Sequence, residues 1–181
     1  GRPPRGAPDG PASAVAIVRD RRDGGAGELG QRRSRGGSCR ALSILYADTS
    51  AVVRAYFLDE PDHDELRELL LEGDEPVVTS ELTRIEFASA VTTAFRTARI
   101  EGADDVLAGF DVDCGEDGVI TLLRLDPTTA FPTAHRLVAD QVLRTLDAIH
   151  LAVALTDVTT LAAGEPVELV TRDERQAAAA A

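Results

Sequence analysis

Ile44-Leu45-Tyr46-Ala47-Asp48 is a short apolar run ending directly in an acid. Such a run reads as a buried strand. The chain around it alternates between the same kind of run and helical stretches. Residues 49–58 carry Val52, Val53 and Tyr56 at helical spacing, and Pro61 breaks them. Residues 62–72 form a second amphipathic stretch stopped by Gly73. Residues 76–79 read as a strand, after which Ser80 can N-cap a long helix to about Arg99. Residues 104–113 are helical and 119–125 have high β-propensity. Two helices follow over 127–142, with Pro132 as a kink, and 145–157. A last strand over 166–171 and a helix over 173–181 complete the order. Strands separated by helices predict an α/β fold, with a parallel sheet of four to five strands covered by helices on both faces.

Composition narrows the chemistry. The chain has 181 residues and a net charge of −12, and all 19 basic residues are Arg. Without Lys there is neither a P-loop lysine nor a Schiff-base lysine. Two cysteines, Cys39 and Cys114, make no disulfide framework and no four-thiolate metal site. They suit a reducing, cytoplasmic setting. No apolar run approaches the roughly 18 residues of a membrane span.

Charge divides the chain near residue 41. Residues 1–41 hold nine Arg against four acids, with nine of the 15 Gly and four of the nine Pro. The remainder, 42–181, is net −17. The Gly/Arg/Pro-rich segment has too little apolar surface to offset its ordering entropy, which predicts disorder over 1–41. It reads either as a nucleic-acid arm or, the favoured expectation, as upstream sequence joined to the gene, with Leu42 as an alternative start. The folded domain is expected over 42–181.

Four acids do not fit a solvated surface. Asp48 and Asp173 follow strands, where ligands bind in parallel sheets, although each also suits an N-cap. Asp147 inside a helix has Leu143 and Leu151 at i−4 and i+4, so its carboxylate points inward unless the helix starts there. Glu86 lies too deep in its helix to cap it and borders the apolar face between Leu82 and Ala90. An unpaired buried carboxylate costs several kcal/mol or protonates. Four carboxylates with no His or Cys at ligand spacing describe a hard-cation site for magnesium or manganese, not zinc.

Four motifs carry a resemblance. Asp48-Thr49-Ser50-Ala51-Val52-Val53, Thr83-Arg84-Ile85-Glu86-Phe87-Ala88-Ser89-Ala90, Leu143-Arg144-Thr145-Leu146-Asp147-Ala148-Ile149-His150-Leu151-Ala152 and Val170-Thr171-Arg172-Asp173 together resemble a PIN-domain ribonuclease, specifically a VapC-like toxin of a type II toxin–antitoxin system. The resemblance spans about 43–178. It implies a PIN-like fold and a metal-dependent endoribonuclease leaving a 5′-phosphate and a 3′-hydroxyl. Asp48, Glu86, Asp147 and Asp173 are then the catalytic, metal-binding acids for Mg2+ or Mn2+, supported by the hydroxyls of Ser50 and Thr171. It also implies an RNA substrate, a cognate antitoxin that presents basic residues, and a homodimer. Two features depart from the family. Arg172 stands where an aromatic or apolar residue is usual, and the chain ends in five alanines, which suggests a truncated C-terminus.

Other residues are weighed against that pattern. Arg84, Arg144 and Arg172 are candidate RNA contacts, since the guanidinium fork matches phosphate oxygens. His150 shares the face of Asp147 and reads chiefly as a hydrogen-bonded core residue. Cys114 has no nearby cation in sequence, which argues against a nucleophile. The alternatives are a HAD-like phosphatase, whose second Asp would fall at Ser50, and a catalytically inactive PIN-fold binding module.

Overall fold

The computed structural model describes residues 16–19 and 43–181. Among these, the chain runs β1 (Ala16–Arg19), β2 (Ile44–Ala47), α1 (Thr49–Tyr56), α2 (His63–Arg67), β3 (Val77–Ser80), α3 (Leu82–Arg96), α4 (Ala103–Asp113), β4 (Ile120–Leu123), α5 (Pro127–Asp140), α6 (Thr145–Val153), α7 (Thr159–Leu161), β5 (Val167–Thr171) and α8 (Glu174–Ala180). Two helices continue with wider turns: α2 into a π-helical turn over Glu68–Glu72, and α6 into another over Ala154–Val158.

The strands form one sheet in the order β1-β5-β2-β3-β4. β5, β2, β3 and β4 are parallel, as expected, and β1 adds an antiparallel edge. Its register pairs Ala16 with Thr171 and Arg19 with Glu168. This corrects the expectation of disorder over 1–41 for these four residues. The physical reason is local: Ala14-Val15-Ala16-Ile17-Val18 is an apolar, partly β-branched run, and β5 would otherwise leave one row of backbone groups unpaired. The rest of that segment lies outside the described residues.

Side chains alternate across the sheet and divide the core in two. Leu45 and Ala47 of β2 face a cluster with Ala51, Val52, Leu66, Phe87, Val91 and Phe110, from α1 to α4. Tyr46 faces the other way, onto Ala130, Ala134, Ala148, Leu151 and Val158 of the α5–α7 layer. Every residue of β3 and β5 is buried, as a sheet covered on both faces requires. Phe87 stacks on Phe110 with ring centroids 4.3 Å apart, and Tyr56 meets both rings edge-on.

This topology fixes where a ligand can sit. The parallel part of the sheet starts at β2, builds outward through β3 and β4, and returns to β5 on the other side of β2. The order therefore reverses between β2 and β5, and the crevice at the carboxyl ends of these strands is the favoured place for a ligand. Asp48 follows β2 immediately, and Asp173 lies two residues beyond Thr171, the end of β5.

Ser80 behaves differently from the expected cap. It ends β3 instead, and its Oγ accepts the Leu82 N–H at 3.2 Å. The long helix starts one residue later than Glu81 and stops at Arg96, where Thr97 and the left-handed Ala98 (φ 54°) turn the chain away.

Candidate active site

Four elements deliver the four acids. Asp48 leaves β2 in an extended conformation and caps α1, its Oδ2 accepting the Ser50 N–H at 3.1 Å. Asp173 caps α8, its Oδ1 accepting the N–H groups of Arg175 (2.8 Å) and Gln176 (3.0 Å). Both are N-caps, and both also line the crevice. Asp147 is the third residue of α6, in its first turn, where the helix dipole favours an acid. Glu86 is the fifth residue of α3, on the side turned toward α1 and α6.

All four carboxylates line one cleft of about 750 Å³, together with Thr49, Ser50, Ile85, Ser89, Thr93, Arg144 and Leu146. Their environments differ. Asp48 is only 5% exposed; its Oδ1 receives the Gln176 amide at 3.3 Å and its Oδ2 the Thr171 hydroxyl at 3.4 Å. The same Thr171 oxygen accepts the Asp173 N–H at 3.1 Å, so one hydroxyl joins two of the acids. Glu86 accepts at Oε2 from the Thr49 hydroxyl (2.7 Å) and from His150 Nε2 (2.6 Å), and neither bond falls on Oε1. Burial raises the Glu86 pKa, but the His150 and Thr49 bonds outweigh it and hold the carboxyl below its ordinary range. His150 is the mirror case: burial disfavours its charge, yet Glu86, Asp48 and Asp147 together push its pKa up. Asp147 has only partial relief, from the main chain and charge of Arg144. Burial first, then the charges of Asp173 and Asp48, raise its pKa.

A sequence profile of the PIN domain matches residues 45–181. The chain belongs to the PIN domain family. Among solved structures, this PIN domain is similar to the Mycobacterium tuberculosis VapC20 toxin, described as cleaving the sarcin–ricin loop. The two share 18% identity over 61% of this chain and 81% of that one, with a TM-score of 0.48. Comparison with curated proteins gives no match.

The donor set of this PIN domain suits a divalent cation. It is all oxygen, as magnesium and manganese prefer, and the like-charge cost carried by Asp147 is one that a cation would remove. Among the described residues, however, no group of three or more His, Cys, Asp or Glu side chains is arranged to hold a metal ion as it stands. A magnesium or manganese ion needs only one or two of these carboxylates, with water completing its shell.

The three arginine candidates separate. Arg144 lines the cleft beside Asp147. Arg84 is engaged elsewhere, its Nη2 donating to Asp111 at 2.6 Å. Arg172 is placed otherwise than expected: its side chain is 2% exposed and turns inward to Asp62 at 2.7 Å, where it holds a loop. Ser50 also acts otherwise than expected. Its main-chain N–H, not its hydroxyl, holds Asp48, while its Oγ accepts the Arg172 N–H at 3.0 Å. His150 is buried, as read, and also reaches Glu86 on one side and the Tyr46 hydroxyl (2.8 Å) on the other. Thr49 and Gln176 were not anticipated. Thr49 is one of many threonines in the sequence, and Gln176 precedes an alanine run that reads as a plain helix end.

Proposed function

We propose that this PIN domain is a metal-dependent endoribonuclease that cleaves RNA phosphodiester bonds in the cytoplasm, as the toxin of a toxin–antitoxin pair. The observation that carries the reading is the convergence of Asp48, Glu86, Asp147 and Asp173 on a single cleft at the sheet's switch point. Membership of the PIN family supports it. These four residues would hold Mg2+ or Mn2+. Such an ion, when bound, offsets charge on the phosphate and lowers the pKa of a coordinated water.

The chain's own groups supply the rest. Thr171 and the Ser50 N–H hold Asp48 in place, and His150 with Thr49 fixes Glu86 in its ionised form. Arg144, exposed at the cleft wall, meets a phosphate oxygen of the substrate. Residues 42–181 carry a net charge of −17, so attraction of RNA must be local while a basic antitoxin is drawn over long range. The toxin acts as a homodimer on this reading. Among the described residues no helix is long and apolar enough to cross a membrane.

The test is RNA cleavage by Asp48→Asn and Asp173→Asn with Mg2+ or Mn2+, with folding checked by circular dichroism. Asparagine keeps the capping oxygen, so both variants are expected to fold and to lose activity. Full activity in both would refute the site.

A further inference from the structure

Gln176 touches three of the four acids. Its main-chain N–H donates to Asp173 Oδ1 at 3.0 Å. Its side-chain Nε2 donates to Asp48 Oδ1 at 3.3 Å and to the Asp147 carbonyl at 3.1 Å. The side chain is fully buried, and its Oε1 finds no hydrogen-bond partner among the described residues. The amide orientation follows from its neighbours. Both are acceptors with no hydrogen to give, so the NH2 end must face them.

This arrangement is costly for a core position. Ordering a glutamine side chain costs conformational entropy, and a buried carbonyl left unpaired adds its desolvation penalty. A leucine would fill similar space without either penalty. What the amide offers is two hydrogens with no charge. An arginine there would neutralise Asp48 and reduce its pull on a cation. A glutamate would place a fourth negative group against Asp48, Asp147 and Asp173. A neutral double donor fixes the acids and leaves their charge intact.

We propose that Gln176 is a positioning residue that ties Asp48, the first turn of α6 carrying Asp147, and Asp173 into one cation-presenting unit. The inference rests on the reading that these acids take a divalent ion. It adds a residue from α8, a seven-residue helix otherwise rich in alanine, to the machinery of the cleft.

The experiment uses the full chain, with Gln176→Leu and the straighter Gln176→Met as a pair. Mn2+ binding is followed by electron paramagnetic resonance, and RNA cleavage is measured across a Mn2+ titration. Loss of an outer partner of a metal ligand typically weakens affinity 10–100-fold, and that range is expected for both variants. At saturating Mn2+, kcat should return to within about threefold of wild type, a split that general destabilisation would not produce. In the wild type, a Gln176 side-chain NH2 pair that exchanges slowly and shifts on Mg2+ addition is also expected; this readout holds even if neither variant folds. Wild type that binds Mn2+ beside variants of unchanged affinity, or an NH2 pair indifferent to Mg2+, overturns the role of Gln176 alone. Wild type that binds no divalent ion overturns the metal reading, and this inference with it.

Discussion

Replacing Glu86 by glutamine isolates the bond that sets the charge of His150. Glu86 and His150 lie 2.6 Å apart, with the imidazole 1% and the carboxylate 25% exposed, and the test uses metal-free protein with chelator present. A hydrogen bond to a charged group contributes about 1.5–3 kcal/mol, and the partial exposure of Glu86 points to the low end, about 1.5 kcal/mol. Glutamine preserves the shape and removes the charge. The His150 contribution is full below its ordinary pKa of 6.5 and is lost as pH rises through the raised native value. The Glu86 contribution is full above its ordinary 4.5 and is lost as pH falls through the lowered native value. The pair therefore stabilises most between about pH 4.5 and 6.5, and wild-type stability should decline on the alkaline side of that window. In Glu86→Gln the decline shrinks, because burial now opposes the His150 charge with only Asp48 and Asp147 in its favour. Urea melts from pH 5 to 9 measure the first effect, and an NMR titration of the three histidines measures the second. The His150 midpoint should fall. An unchanged His150 midpoint in the variant would refute the pairing.

Three further outcomes follow from other parts of the molecule. Phe87→Ala empties a fully buried site between Tyr56 and Phe110 and should cost about 3–5 kcal/mol in urea unfolding; a loss under 1 kcal/mol would contradict the packing of α3 on α4. The Cys114 thiol is pushed up to about 11, first by burial and then by Asp113 and Asp111 against Arg84. Alkylation of the native protein should therefore be slow at pH 8 and accelerate through pH 10, and rapid labelling at pH 7 would sink that account. Arg144→Ala should weaken RNA binding with kcat little changed and reduce the slope of log affinity against log salt by about one phosphate contact; an unaltered salt slope would remove Arg144 from the substrate path.

The parallel sheet and its helices were legible because period-2 and helical patterns alternate cleanly from Ile44 onward. The acids were legible because each interrupts an apolar context, and the cleft does gather them. What escaped prediction depends on contacts between distant segments. The inward turn of Arg172 needs Asp62, 110 positions earlier, to stand opposite it. The contacts of Gln176 need Asp48, just past β2, and Asp147 of α6 to meet α8. The edge strand Ala16–Arg19 was hidden by its setting, since four residues of β-propensity in a Gly/Arg/Pro-rich stretch carry little signal until an open sheet edge is there to receive them. The π-helical turn after α6 has no sequence marker either.

Asp48 and Asp173 each begin a helix with the same carboxylate that faces the cleft. Asparagine begins a helix about as well as aspartate, and the two codons differ by one base. A single point mutation at either position would thus leave a fold-competent protein stripped of the proposed chemistry. On the proposed function, a gene of this kind is one replication error away from encoding a folded but inactive copy of its own product.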